Sequence, residues 1–156
     1  MSREMPGSVV NSLRVLALLV ATSGVITLLT WLMSDDILMT WAEGNPTAQE
    51  ILAQGGIEAL RADQISPGFV ALAVVAFVGF ALLSLVLGAF LAGGFPWARW
   101  VLTATAFMGA LVVTVCLQNQ MPTIFVVLSV LLILLGALLV VLLWRKDTTA
   151  YLRDDV

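Results

Sequence analysis

The chain has 156 residues, of which 61% are hydrophobic and 11% are charged, and its formal net charge is −3. Soluble domains carry about 45–50% apolar and about 25% charged residues, so this composition predicts a protein whose surface largely faces lipid. The absence of histidine and the single cysteine, Cys116, exclude an internal disulfide, a cysteine cluster and histidine-based metal or acid–base chemistry.

Four stretches of the chain are long and apolar enough to cross a bilayer. A hydrocarbon core about 30 Å thick requires about 20 apolar residues of helix. We predict spans at residues 13–33, 69–91, 100–117 and 124–144. They contain no carboxylate and no lysine, and their one arginine, Arg14, lies in the opening turn of the first span, from where its side chain reaches the headgroups.

The distribution of charge predicts the orientation of these spans. Six of the seven basic residues fall on one side of the membrane: Arg3, Arg14, Arg99, Arg145, Lys146 and Arg153. The remaining one, Arg61, lies in an acidic segment on the other side. Because cytoplasmic loops carry the excess of Lys and Arg, we predict a multi-pass protein of the plasma (inner) membrane with both termini in the cytoplasm. Tryptophans mark the predicted span ends, where amphipathic rings prefer the interface: Trp31, Trp97, Trp100 and Trp144.

The outer segment, residues 34–68, contains several helix start and stop signals. Asp35 and Asp36 favour a helix start, Asn45-Pro46 is a turn signal, and Gly55-Gly56 is a break. We predict two or three short amphipathic helices here, which lie on the outer leaflet or cap the bundle.

Short links at 93–99 and 118–122 make sequential spans neighbours in space. The predicted fold is therefore all-α: residues 1–156 form a single transmembrane domain, an up-down-up-down four-helix bundle with N-in/C-in topology. Small residues allow helices to approach closely within a membrane. The residues predicted to serve this packing are Ala17, Ala21, Gly24, Ser84, Gly88, Ala92, Thr105 and Gly109.

The sequence offers little chemistry from which to build an active site. No ionisable group lies at mid-depth in a span, although carriers and proton pumps normally need one there. The adjacent Asp35 and Asp36 are either a cation or acid–base site or a helix start in solvent, and the second interpretation is favoured because neighbouring helical residues diverge. We predict no catalytic residue, no metal ligand and no cofactor, so that the chain is not an enzyme.

A few motifs resemble a known class of proteins. Trp97-Ala98-Arg99-Trp100 enters the third span, and Thr149-Ala150-Tyr151-Leu152-Arg153 follows the fourth. Together with the acidic, helical first outer loop, these motifs resemble uncharacterised small four-span integral membrane proteins of actinobacteria. That class often has an aromatic residue where Leu152 stands here. The resemblance implies the four-span layout and a high-GC Gram-positive origin, and it implies no catalytic or binding residue.

Two functional hypotheses follow. The first is a non-catalytic accessory or scaffolding subunit of a larger membrane complex, such as a respiratory supercomplex, an envelope-assembly machine or a transporter. The second is a small homo-oligomer that binds or moves a lipid-like hydrophobic molecule in an apolar cavity. The expected partners are membrane lipids and other membrane subunits, and not nucleic acid. The candidate partner contacts are Trp41, Ile51, Leu52, Trp97, Arg99, Trp100, Tyr151 and Arg153.

Overall fold

A computed structural model describes residues 4–118 and 121–153 of the chain, and none of these residues forms a β-strand. The helices are α1 (Gly7–Leu32), α2 (Ser34–Glu43), α3 (Pro46–Ala62), α4 (Phe69–Ala92), α5 (Pro96–Leu117), α6 (Thr123–Leu143) and α7 (Lys146–Arg153). Arg3 and residues 119 and 120 of the predicted outer turn lie outside the described residues.

Helices α1, α4, α5 and α6 are long and apolar enough to cross a membrane, which confirms the four predicted spans and the all-α class. Two of them begin earlier than predicted. Helix α1 begins at Gly7 rather than near residue 13, and α5 begins at Pro96 rather than at Trp100. Proline suits the first turn of a helix because its missing N–H would be unpaired there in any case.

The four long helices form a closed ring in which α1 contacts α4 and α6, and α5 contacts the same two helices. Neighbours in the ring are antiparallel. Near the start of α1, Leu13 and Leu16 lie against Gly88 near the end of α4, and further along α1 Gly24 lies against Phe77. The bundle therefore has the predicted up-down-up-down arrangement.

The four long helices pack most closely at one end of the bundle, although Thr30 and Phe125 near the other end are also buried. On α4 the buried residues run from Ser84 to Leu91, and on α5 they are Ala98 and Leu102 in the first two turns. The main buried cluster joins these to the first half of α1 and the last turns of α6. We call this region, where both ends of the described chain meet, the closed end of the bundle.

Helix α7, which was not among the predicted helices, covers the closed end. Its Thr148, Tyr151 and Leu152 are buried. The Thr148 hydroxyl lies 2.9 Å from both the Ser8 hydroxyl and the carbonyl oxygen of Leu142, and thus links α7 to α1 and α6. The Tyr151 hydroxyl donates to the carbonyl oxygen of Ala92 at 2.7 Å. Helix α7 therefore ties the ends of three long helices together.

The outer segment forms helices, as predicted, with a small core of its own. Leu38, Ala42, Ala48 and Leu60 from α2 and α3 are buried together. The predicted glycine break falls within α3, where Gly56 has φ 67°, a backbone conformation that glycine adopts without steric cost. The segment therefore packs mainly on itself.

The predicted small-residue stripes divide into two groups. Gly24, Ser84, Gly88 and Ala92 lie within the α1–α4 contact or under α7. Ala17 and Ala21, in contrast, are exposed, because α1 turns its Val15, Leu16 and Leu19 face to the core. The contact of α1 therefore consists of large side chains seated on the small residues of α4.

Gly88→Leu is expected to destabilise the bundle. A Cβ at Gly88 already lies 3.4 Å from Leu16 Cδ2 and 3.5 Å from Leu13 Cδ2, so a larger side chain must push α1 away. Overpacking of this kind costs about 1–3 kcal/mol. Thermal unfolding in detergent should register the loss. Gly79→Leu is the matched control, since the same α4 helix has open space there, and equal effects of the two changes would contradict the prediction.

Candidate functional site

An apolar cavity of about 770 Å³ lies among α1, α4, α5 and α6. Its floor is a layer of leucines at the closed end, Leu16, Leu87, Leu102 and Leu139, all of them buried. From Leu16 to Thr27 the wall extends about 16 Å along α1, at about 1.5 Å per residue. Its volume falls within the range of about 300–1,000 Å³ that is typical of small-molecule sites.

The cavity exists because two helices present small residues to the interior. On α5 these are Thr105, Ala106, Gly109 and Ala110. On α6 Gly136 contributes in the same way, and a Cβ added at Gly109 or at Gly136 would meet no atom within 4 Å. The small-residue pattern predicts that Thr105 and Gly109 pack against a neighbouring helix. The structure instead places them in the cavity wall, because no large side chain on a facing helix reaches into the space that they leave.

The seam between α4 and α5 is the weakest side of the ring. These two helices contact each other less extensively than the other neighbouring pairs do. Their buried residues, which end at Ser84 on α4 and at Leu102 on α5, all lie close to the turn that joins them. Above that level the wall between α4 and α5 has little packing to hold it closed.

The cavity wall is almost wholly apolar and carries no ionisable side chain in the described part of the chain. Its polar side chains are Ser23, Thr27, Ser84 and Thr105. The first, second and fourth donate to the carbonyl four residues earlier in their own helix, at 2.8–3.0 Å. Among the described residues, the buried hydroxyl of Ser84 has no hydrogen-bond partner. The wall therefore suits an uncharged, largely apolar molecule.

The predicted aromatic and basic contacts at the closed end interact with one another. The Arg99 guanidinium lies 4.3 Å from the centre of the Trp144 ring and donates to the Thr149 hydroxyl at 3.1 Å. Trp100 meets Trp144 edge to face at 4.6 Å, and Trp97 lies 4.8 Å from the Phe90 ring.

Tyr151 and Arg153, two of the predicted partner contacts, lie in different environments. Tyr151 is buried beneath α4, whereas Arg153 is exposed. Trp100 is also exposed, with 60% of its surface accessible. This part of the chain thus joins α5, α6 and α7 and leaves Trp100 and Arg153 on the surface.

The residues of the outer segment that were predicted to contact a partner pack instead against other residues of the same chain. Trp41, Ile51 and Leu52 are half-buried against the small core of α2 and α3, and Trp41 meets Phe69 at 6.4 Å. Their packing joins the outer helices to the beginning of α4.

The acidic pair at the start of α2 does not converge on a common site. Asp35 forms a hydrogen-bonded ion pair with Arg61. The hydrogen bond is the main cause that raises the pKa of Arg61, and the negative charge of Asp35 adds to it. Asp36 is exposed. The ion pair connects the beginning of α2 to the end of α3, beside a shallow depression of about 380 Å³. Within the described residues, no group of three possible metal ligands is present.

Comparison with protein-family models, with curated proteins and with solved structures finds no match to this chain. Its class is defined by the fold itself, a multi-pass helical bundle of membrane-spanning length and composition.

Leu102→Ala is expected to lower stability and to deepen the cavity. Leu102 is 2% exposed and belongs to the buried cluster that forms the floor, so its truncation leaves a gap in that packed layer. Large-to-small changes in packed cores cost about 2–5 kcal/mol. Thermal unfolding in detergent measures the effect. Leu111→Ala on the same helix is the control, because Leu111 is exposed, and an equal loss there would show that Leu102 does not seal the floor.

Proposed function

We propose that this chain binds an uncharged, lipid-like hydrophobic molecule inside its helix bundle. The observation that carries the proposal is the apolar cavity of about 770 Å³ above the leucine floor. A cavity of this size, closed at one end and lined by aliphatic and aromatic side chains, provides the burial that small-molecule sites need. Its ligand would come from the bilayer itself.

The chemistry of the wall favours binding over catalysis. An activated nucleophile needs an adjacent base, and the serine and threonine hydroxyls of the wall have no ionisable neighbour within it. The lack of charge likewise favours a neutral ligand, since an unpaired charge within the membrane is costly.

The closed end favours binding from one side of the membrane rather than passage across it. Leu16, Leu87, Leu102 and Leu139 close the floor, and α7 covers the far side of that layer. A molecule in the cavity would have to separate packed leucines and displace α7 to cross. We therefore propose a binding or presenting role in which the ligand enters and leaves by the α4–α5 seam.

Gly109→Phe is expected to reduce the lipid retained by the purified protein. The new ring would project from the cavity wall, where no atom lies within 4 Å of the Cβ position. We expect about a tenfold loss of affinity, equivalent to an overpacking cost of about 1.4 kcal/mol for the bound ligand. Mass spectrometry of extracts from equal amounts of protein measures the retained molecule.

Gly79→Phe is the matched control for this experiment. Gly79 is also a helical glycine with open space beside it, but it lies outside the cavity wall on α4. Both changes replace glycine by the same residue, so their effects on helix propensity are matched. Retention that falls equally in both variants, or in neither, would contradict binding within the cavity.

The accessory-subunit hypothesis predicts a different result from the same preparation. If the chain is a scaffold, mild-detergent purification from native membranes should recover other membrane subunits in fixed ratio. Gly109→Phe should then leave both those subunits and the lipid content unchanged. Recovery of the chain with a bound hydrophobic molecule, and without stoichiometric subunits, favours the binding function.

We also propose that the closed end faces the cytoplasm. The start of α1 meets α7 at this end, and the basic residues Arg99, Arg145 and Lys146 cluster there. Clusters of Lys and Arg are typical of the cytoplasmic side. The outer helices α2 and α3 would then cover the opposite surface of the plasma membrane.

Cysteine labelling in intact cells tests this orientation. In a Cys116→Ser background, Gln54→Cys on α3 should react with a membrane-impermeant maleimide, whereas Asp147→Cys on α7 should react only after the membrane is permeabilised. Both positions are exposed, and neither change removes a basic residue that sets the orientation. Reaction of Asp147→Cys in intact cells, with protection of Gln54→Cys, would reverse the proposed topology.

A further inference from the structure

Ser84 differs from every other hydroxyl in the cavity wall. It lies on α4 one turn before Gly88 and close to the leucine floor, and it is 4% exposed. Its Oγ atom has no hydrogen-bond partner among the described residues. Buried polar atoms are normally paired, so an exception that faces a cavity points to a partner from outside the chain.

The other wall hydroxyls, those of Ser23, Thr27 and Thr105, donate to a backbone carbonyl of their own helix. Ser23 donates to the Leu19 carbonyl oxygen at 2.8 Å, and Thr105 donates to that of Val101 at 2.8 Å. These bonds use up the one hydroxyl hydrogen of each residue. Among the wall hydroxyls that the structure describes, Ser84 alone keeps its hydrogen available to donate into the cavity.

Water is a poor partner for Ser84. A buried water usually needs two to four polar partners, and apolar cavities stay dry. The residues beside Ser84 in the wall are Phe80 and Leu87, with Leu16 and Leu19 on the facing helix, and none of their side chains offers a second hydrogen bond. An apolar molecule that carries one polar atom suits this site, because the polar atom can pair with the Ser84 hydroxyl while the rest of the molecule contacts the apolar wall.

We propose that Ser84 is the specificity-determining residue of the cavity and donates a hydrogen bond to a neutral oxygen of the ligand. This inference rests on the proposed binding function and names its ligand class: a long apolar molecule with an uncharged oxygen at one end, such as a long-chain alcohol, an ester or a quinone. Because Ser84 lies near the floor, the oxygen-bearing end of the bound ligand lies there too. The apolar body extends away from the floor, along the wall formed by Phe77 and Gly109.

Two probes of matched length, 1-dodecanol and dodecane, test the assignment. Each is added at equal mole fraction to micelles of the purified full chain, and native mass spectrometry gives the apparent affinity of each. We expect the alcohol to bind about 3- to 10-fold more tightly than the alkane, the effect of one neutral hydrogen bond. In Ser84→Ala this preference should disappear, while the alkane binds as well as before.

Ser23→Ala is the matched control, since it removes a wall hydroxyl that is already paired with Leu19. The preference for the alcohol should survive in this variant. Equal binding of both probes to the unaltered chain, or loss of the preference in Ser23→Ala as well, would overturn the role of Ser84 and leave the cavity's function standing. Failure of both probes to bind would instead overturn the proposed function.

Discussion

The contact of α1 with Gly88 of α4 sets the geometry on which the rest of the bundle depends. Leu13 and Leu16 occupy the place that a side chain at position 88 would take, so the two helices approach closely near the closed end. This approach brings Leu16 and Leu87 into one layer with Leu102 and Leu139. Lipid tails are as apolar as leucine, so close packing of this kind, rather than a hydrophobic drive, holds helices together in a membrane.

Small residues have opposite effects at the closed end of the bundle and beside the cavity. At the closed end, Gly88 faces large side chains of α1, and the result is a tight contact. Further from that end, Gly109 and Gly136 face open space, and the result is a cavity. An unfilled space loses dispersion contacts on every side, and a ligand can restore them. The positions of the small residues therefore decide where the bundle packs tightly and where it leaves an apolar cavity.

Much of the architecture was predictable because each span is a local property. Apolar length fixed the four spans, and short links fixed their antiparallel order. Helix α7 was missed because its apolar residues are few and its stability comes from Thr148 and Tyr151, which pack beneath other helices. The outer helices were predictable from Asn45, whose side chain accepts from the Thr47 and Ala48 amides, and from the glycine break at Gly56.

The sequence by itself therefore determined the class of protein, the number of spans and which residues are small enough to affect how the helices approach each other. It did not distinguish Gly88 from Gly109, since both are small residues spaced for helix contact. Only the tertiary structure decided that one receives a neighbour's leucines while the other borders a cavity. The reason is that a cavity is the space left between the side chains of four helices, so its position depends on all four at once. The hydroxyl of Ser84, which has no hydrogen-bond partner in the described part of the chain, likewise borders a space that only the assembled helices create.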